Sequence, residues 1–320
     1  MAEQFKWDPK KSQVFDSSYE SQESLCTSAV SFSKENGTSF LMNAPGKTLT
    51  LRQSTATDIV SWNPTTDQET PVISVTGGEV IFDFMGNAQT LYLYNPFGDE
   101  TIKILNGRFL VHNVSSFISE SGRIYLDENS LTHILTSDVT DLKGSILYIN
   151  SSAFIIDSKT IKTGEFSISG SDFTANSNVF AFDGKNINIT NSKLEFYFNK
   201  EAIIRQNITI LNSNLTVHSP RTLISNSEID IFNSSLLEIT VEYYADFTKN
   251  PDFRFNFIVD IEFGPNTSEI QFNNGNAFLA SALQNLGLIC INGAPQTGNN
   301  WSRNISSELM PGGILIVKLR

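Results

Sequence analysis

Charge is scarce in this chain. Only 18% of its 320 residues are Asp, Glu, Lys or Arg, and the acidic groups outnumber the basic ones 34 to 22. A net charge of −12 with no Lys/Arg cluster suits neither nucleic acid nor an anionic membrane as a partner. Histidine is scarcer still. His112, His133 and His218 have no Ser, Cys or Asp at a spacing that marks a nucleophilic triad, and they read as surface residues beside strands. The two cysteines, Cys26 and Cys290, carry no zinc spacing and are expected too far apart for a disulfide. Cys290 reads as a buried core thiol. Apolar runs such as Gly313-Ile-Leu-Ile-Val317 fall far short of the roughly 20 residues that span a bilayer, so no transmembrane segment is expected. The opening Met-Ala-Glu-Gln-Phe-Lys-Trp is polar and charged and does not read as a signal peptide. No metal and no cofactor is expected.

What the chain does contain is a repeated phrase. Ile187-Asn-Ile189-Thr-Asn191-Ser192 returns as Ile208-Thr-Ile210-Leu-Asn212-Ser213 and as Ile229-Asp-Ile231-Phe-Asn233-Ser234, stepping by 21 residues each time. Variants stand upstream at Phe166, Ile146 and Ile124, and downstream at Ile270 and Leu288. The downstream copy at Leu288 places Cys290 in the inward slot of Ile189, Ile210 and Ile231. Two further apolar columns share the step: Ile161, Phe182, Ile203 and Ile224, and Phe173, Leu194, Leu215 and Leu236.

Alternation over four or five residues is strand periodicity, and three apolar columns per period imply three short strands per turn. A repeat of this size cannot close its own core and must stack on its neighbours, each rung adding about 4.8 Å. The expected fold is therefore all-β: a parallel β-helix solenoid of about 21 residues per rung, capped at both ends.

Asn at the end of each first strand suits a left-handed corner. A structural corner ladder is expected at Asn150, Gly170, Asn191, Asn212, Asn233 and Asn274, with stacked amides bonding from rung to rung. Ten Asn-X-Ser/Thr triplets occur, among them Asn113, Asn150, Asn188, Asn207 and Asn233. They read as turn chemistry, not as glycan acceptors.

Residues 1–78 lack the phrase and read as an N-terminal cap or attachment segment. Residues 79–240 read as the regular β-helix. Residues 241–320 read as an irregular insertion, the last rungs and a C-terminal cap, with a short helix near Phe278–Leu286 and a closing strand near Gly313–Leu319.

The periodicity resembles the right-handed parallel β-helix superfamily over about 200 residues. That superfamily includes polysaccharide-cleaving enzymes, but the galacturonan-hydrolase strings Asn-Thr-Asp, Asp-Asp, Gly-His-Gly and Arg-Ile-Lys are absent. Ser219-Pro220-Arg221, the nearest string to a lyase arginine loop, reads as a turn. Asp138 and Asp141 should diverge on a strand, unless Asp138 lies in a loop. Glu238 and Glu242 should sit about 13 Å apart, beyond the roughly 5–9.5 Å of glycoside hydrolysis. No catalytic residue is assigned.

Candidate ligand-binding residues are Tyr197, outward between two inward phenylalanines, and Tyr243 and Tyr244 beside the insertion. The Asn/Ser/Thr-rich rungs are similar to adhesin passengers of the filamentous-haemagglutinin and autotransporter type. That resemblance implies a non-enzymatic adhesin or receptor-binding rod, extracellular or on a cell surface, engaging a host protein or glycan, with the 241–263 irregularity the first place to look for recognition. The alternative is a phage-tailspike-like protein, a glycoside hydrolase or polysaccharide lyase on a virion surface. A monomer fits the first reading and a homotrimer the second.

Overall fold

The computed structural model describes residues 4–8, 11–26, 39–53, 57–62, 71–95, 100–182, 186–224, 228–240, 253–260 and 265–320. They fall in two compact units, Met1–Ser167 and Ile168–Arg320. Each unit is a parallel β-solenoid with three strands per coil, at roughly 22 residues per turn. Among the described residues, no helix is long and apolar enough to cross a membrane.

In the first unit the three sheets run in register through successive coils. One stacks Val75 on Ile104, Leu126 and Ile149. The next stacks Phe82 on Val111, Ile134 and Ile156. The third takes Leu91 to Phe117, Thr140 and Ile161. Strand alternation sends every second side chain inward, and these inward residues are almost fully removed from water. Each large aliphatic or aromatic side chain buried this way contributes about 1.5–3 kcal/mol. Parallel pairing starts well before the regular repeat. Gln13–Asp16 pairs with Phe40–Asn43, and Gln22–Cys26 with Leu49–Gln53. These strands lie within the segment expected as an N-terminal cap or attachment segment, and they pair in parallel like the coils that follow.

In the second unit Ile187 and Ile189 stack on Ile208 and Ile210, then Ile229 and Ile231, then Phe255 and Phe257. Arg254–Phe257, inside the expected insertion, is therefore an ordinary coil strand; residues 241–252 and 261–264 lie outside the described residues. Two columns depart from the 21-residue step. Phe182 pairs with Ile204, not Ile203, because Asn199 and Lys200 turn a corner that Asn178 turns alone one coil earlier. Ile203 is accordingly half-buried while Ile204 is buried. Leu215 pairs with Leu237, not Leu236, because the corner after Ile231 also holds one extra residue.

The phrase at Leu288 is likewise shifted by one. Ile289 and Ile291 follow Phe255 and Phe257, so Cys290 falls in the column of Asp230 and Asn256 instead of the inward slot. It is buried all the same, because the chain folds back through Ala294–Pro295 antiparallel to its strand. Burial pushes its thiol pKa up. The side chain of Cys26 lies outside the described residues.

The helix expected near Phe278 is α1, Ala277–Asn285, capped by the Asn276 side chain, which accepts from the Leu279 N–H at 2.9 Å. A second short helix, α2, covers Gly298–Asn304. Strand Ile314–Leu319 pairs antiparallel with Glu269–Asn273, and Ile305–Met310 pairs antiparallel with it in turn. The switch from parallel to antiparallel pairing ends the repeat at this sheet.

Candidate functional site

The corners hold the walls of the solenoid in place. The left-handed backbone is occupied by Gly170, Asn191, Asn212 and Asn274, with φ of 57°, 50°, 47° and 63°. At two corners it belongs instead to the residue after the asparagine: Ser151 (φ 47°) follows Asn150, and Ser234 (φ 55°) follows Asn233. Ser151 stands two residues after inward Ile149, just as Asn191 does after Ile189, so there the asparagine simply falls one position early; the Asn233 corner holds one more residue, which moves the turn forward by one position.

The rung-to-rung ladder is made by the serine that ends each corner. The Ser171 N–H donates to Ser192 Oγ at 3.1 Å, Ser192 N–H to Ser213 Oγ at 3.0 Å, and Ser213 N–H to Ser235 Oγ at 3.3 Å. The Ser235 N–H continues to Ser268 Oγ at 2.9 Å, and in the first unit Ser130 N–H donates to Ser152 Oγ at 3.2 Å. Each of these serine side chains is buried. The ladder satisfies corner N–H groups that would otherwise be orphaned.

With the corners pinned, the outer face of strand Lys193–Ile204 and its neighbours forms a wall in the second unit. Phe196 and Phe198 are buried and Tyr197 between them is 41% exposed. The Tyr197 ring lies on the His218 ring one coil away, centroids 4.8 Å apart and planes 18° apart. His218 Nδ1 in turn faces Thr240 Oγ1 at 3.4 Å. This column runs Asn176, Tyr197, His218, Thr240, Asn273.

Beside it runs a second column: Thr174, Glu195, Thr216, Glu238, Gln271. Both carboxylates are held. Lys193 Nζ lies 3.0 Å from Glu195, and Glu238 accepts from Asn273 Nδ2 at 2.6 Å and from Thr216 Oγ1 at 3.5 Å. Asp172 is the register mate of Lys193 one coil away, but Glu195 makes the ion pair and chiefly raises the lysine pKa. Tyr243 and Tyr244 lie outside the described residues.

Comparison with protein families, with curated proteins and with solved structures gives no match.

Two polar clusters escaped the sequence reading. In the first unit His133 Nε2 lies 2.7 Å from Asp157 Oδ2, and the His112 ring meets the His133 ring edge-on at 5.9 Å. Asp157 stands one coil and two residues beyond His133, since His133 pairs with Ile155, so the repeat length was the signal that could have found the pair. Burial, and then the neighbouring His133, hold the His112 pKa below the ordinary imidazole range against the pull of Asp83. Burial alone would raise Asp83, but the Asn113 amide, the Met85 N–H and Arg52 outweigh it and lower its pKa.

The second cluster lies in the other unit. Asn256 Nδ2 donates to Glu228 Oε1 at 3.0 Å and to Asp230 Oδ1 at 2.9 Å. The bridged oxygens thus lie within about 6 Å, the range of a hydrolytic carboxylate pair. Burial raises the Asp230 pKa. The Asn256 amide, itself buried, occupies the space between the two, and its Oδ1 accepts from the Gly293 N–H at 2.9 Å. Among the described residues, no group of three His, Cys, Asp or Glu side chains is placed to hold a metal ion.

Proposed function

We propose that this protein is a non-enzymatic surface protein, an adhesin or receptor-binding solenoid, that meets a host or partner surface with the wall around Tyr197. Its working place is extracellular or on a cell surface, or on the surface of a particle. The observation that carries the reading is the exposed Tyr197 ring laid flat on His218 in the middle of a regular, hydrogen-bonded wall. An exposed aromatic is ordinary, but one braced by a parallel ring presents a fixed apolar face at little entropic cost. The serine-pinned corners keep that face rigid. The resemblance of the Asn/Ser/Thr-rich rungs to adhesin passengers supports the same reading.

A second reading, a polysaccharide-cleaving enzyme of the tailspike kind, draws on Glu228 and Asp230. Two carboxylates at this separation, one with a raised pKa, are the elements of acid–base glycoside hydrolysis. Against it, a substrate oxygen would have to displace the buried Asn256 amide.

The test is binding of labelled protein to intact cell surfaces by flow cytometry, with a parallel glycan panel assayed for new reducing ends and unsaturated products. Saturable binding that Tyr197→Ala lowers at least tenfold, with no product, is expected. Binding untouched by Tyr197→Ala, or product that Asp230→Asn abolishes, overturns the proposal in favour of another surface or of the enzyme.

A further inference from the structure

We infer that the wall's ligand is a linear, uncharged glycan lying along the stack across successive coils. The inference rests on the binding role proposed above and names the ligand class. Three features of the wall select it.

The first is the Tyr197–His218 platform. His218 covers one face of Tyr197, and the platform offers the other face and the ring edges, which suit the apolar C–H groups of a sugar ring. A peptide side chain would use a pocket, whereas this surface is a flat sheet face. The second is the adjoining column. Glu195 and Glu238 lie two coils apart, about 10 Å at strand spacing, on the same side of the platform. Each is fixed by a neighbour and keeps free acceptor capacity, since a carboxylate accepts up to about four hydrogen bonds. Acceptors repeated along the stack match hydroxyls repeated along a glycan.

The third is charge. A third outward column, Asp172, Lys193, Asn214, Leu236, Glu269 and Lys318, flanks the other two, and the three together carry Asp172, Glu195, Glu238 and Glu269 against Lys193 and Lys318. Lys193 is engaged with Glu195, and Lys318 lies 3.6 Å from Glu269. Neither lysine on these columns is left unengaged to meet a sialic acid or a uronate, and Glu238 would repel one. Hydroxyl groups carry no such penalty. An acidic sugar chain is therefore rejected by the same carboxylates that hold a neutral one.

The experiment measures binding of wild-type protein to neutral cello-, chito- and galacto-oligosaccharides of two to six units. Oligogalacturonate and a sialylated oligosaccharide serve as the acidic probes. A neutral hexasaccharide should bind at least tenfold tighter than its disaccharide, and the acidic probes should not bind. Tyr197→Ala should lose at least tenfold, and Glu195→Gln and Glu238→Gln about three- to tenfold each. Preferred binding of an acidic probe, tightened by either Glu→Gln change, overturns the ligand class. Cell binding that depends on Tyr197 but is not competed by any neutral glycan also overturns the class and leaves the surface-binding role standing. If cell binding is indifferent to Tyr197→Ala, the role itself fails.

Discussion

Ser192 and Ser213 stand one coil apart, and the backbone N–H of the first donates to the side-chain oxygen of the second at 3.0 Å. Ser192 passes the arrangement on. Its own Oγ accepts from Ser171 N–H and donates to the Thr190 carbonyl at 2.7 Å. A buried hydroxyl thus closes each corner and ties it to the next.

Ser192→Ala should therefore leave the Ser171 N–H buried without this acceptor. The expected cost is about 1–3 kcal/mol in chemical denaturation. Ser192→Thr keeps the hydroxyl and should recover part of it. An alanine variant with wild-type stability would remove the ladder from the account of what holds the corners.

Asn212 has a left-handed backbone, so replacement by Val should destabilise more than replacement by Gly, by about 1–2 kcal/mol. At the next corner the left-handed residue is Ser234, and Ser234→Val should be worse than Asn233→Val. Thermal melting of the four variants decides it; the reverse order at the second corner would contradict the forward shift of the turn.

Ile204 is buried and its neighbour Ile203 is half-buried. An aspartate at 204, as at the fully buried Ile210, places an unpaired charge in the core and should leave no cooperative folding transition. Aspartate at 203 should leave a folded, soluble protein with a modest loss. Circular dichroism melts of the pair check the corrected register directly.

Stability should fall on mild acidification through His112. Folding lowers its pKa, so the unfolded chain takes the proton more readily below the ordinary value of 6.5. The contribution is intact above that pH and is lost as pH falls towards the folded value. The groups facing it are Asp83 and His133, with Arg52 beyond Asp83 and Asp157 beyond His133. The melting temperature of wild type should decline between neutral pH and the carboxylate range, and that of His112→Gln should decline less. Parallel curves would exclude His112 as the source.

The architecture was legible in the chain because its cause is repeated. A strand that alternates Ile with polar residues and ends in Asn-Ser has one way to bury its apolar side, and three copies at 21 residues leave only stacking. Tyr197 was legible as outward for the same reason, since Phe196 and Phe198 alternate with it. Local pattern could not reveal the corner insertions. One extra residue at Asn199–Lys200 shifts the partners of residues 201–204 until the 21-residue step returns at Asn207, and another before Leu237 shifts the partners of that strand, while the apolar content is unchanged. The stacking of Tyr197 on His218, the His133–Asp157 pair and the burial of Cys290 outside its expected slot depend on which residue of one coil lies over which residue of the next. Alternation within a strand is set by its own backbone and can be read along the chain; register between coils is set by how many residues each corner consumes, and only the folded stack decides that.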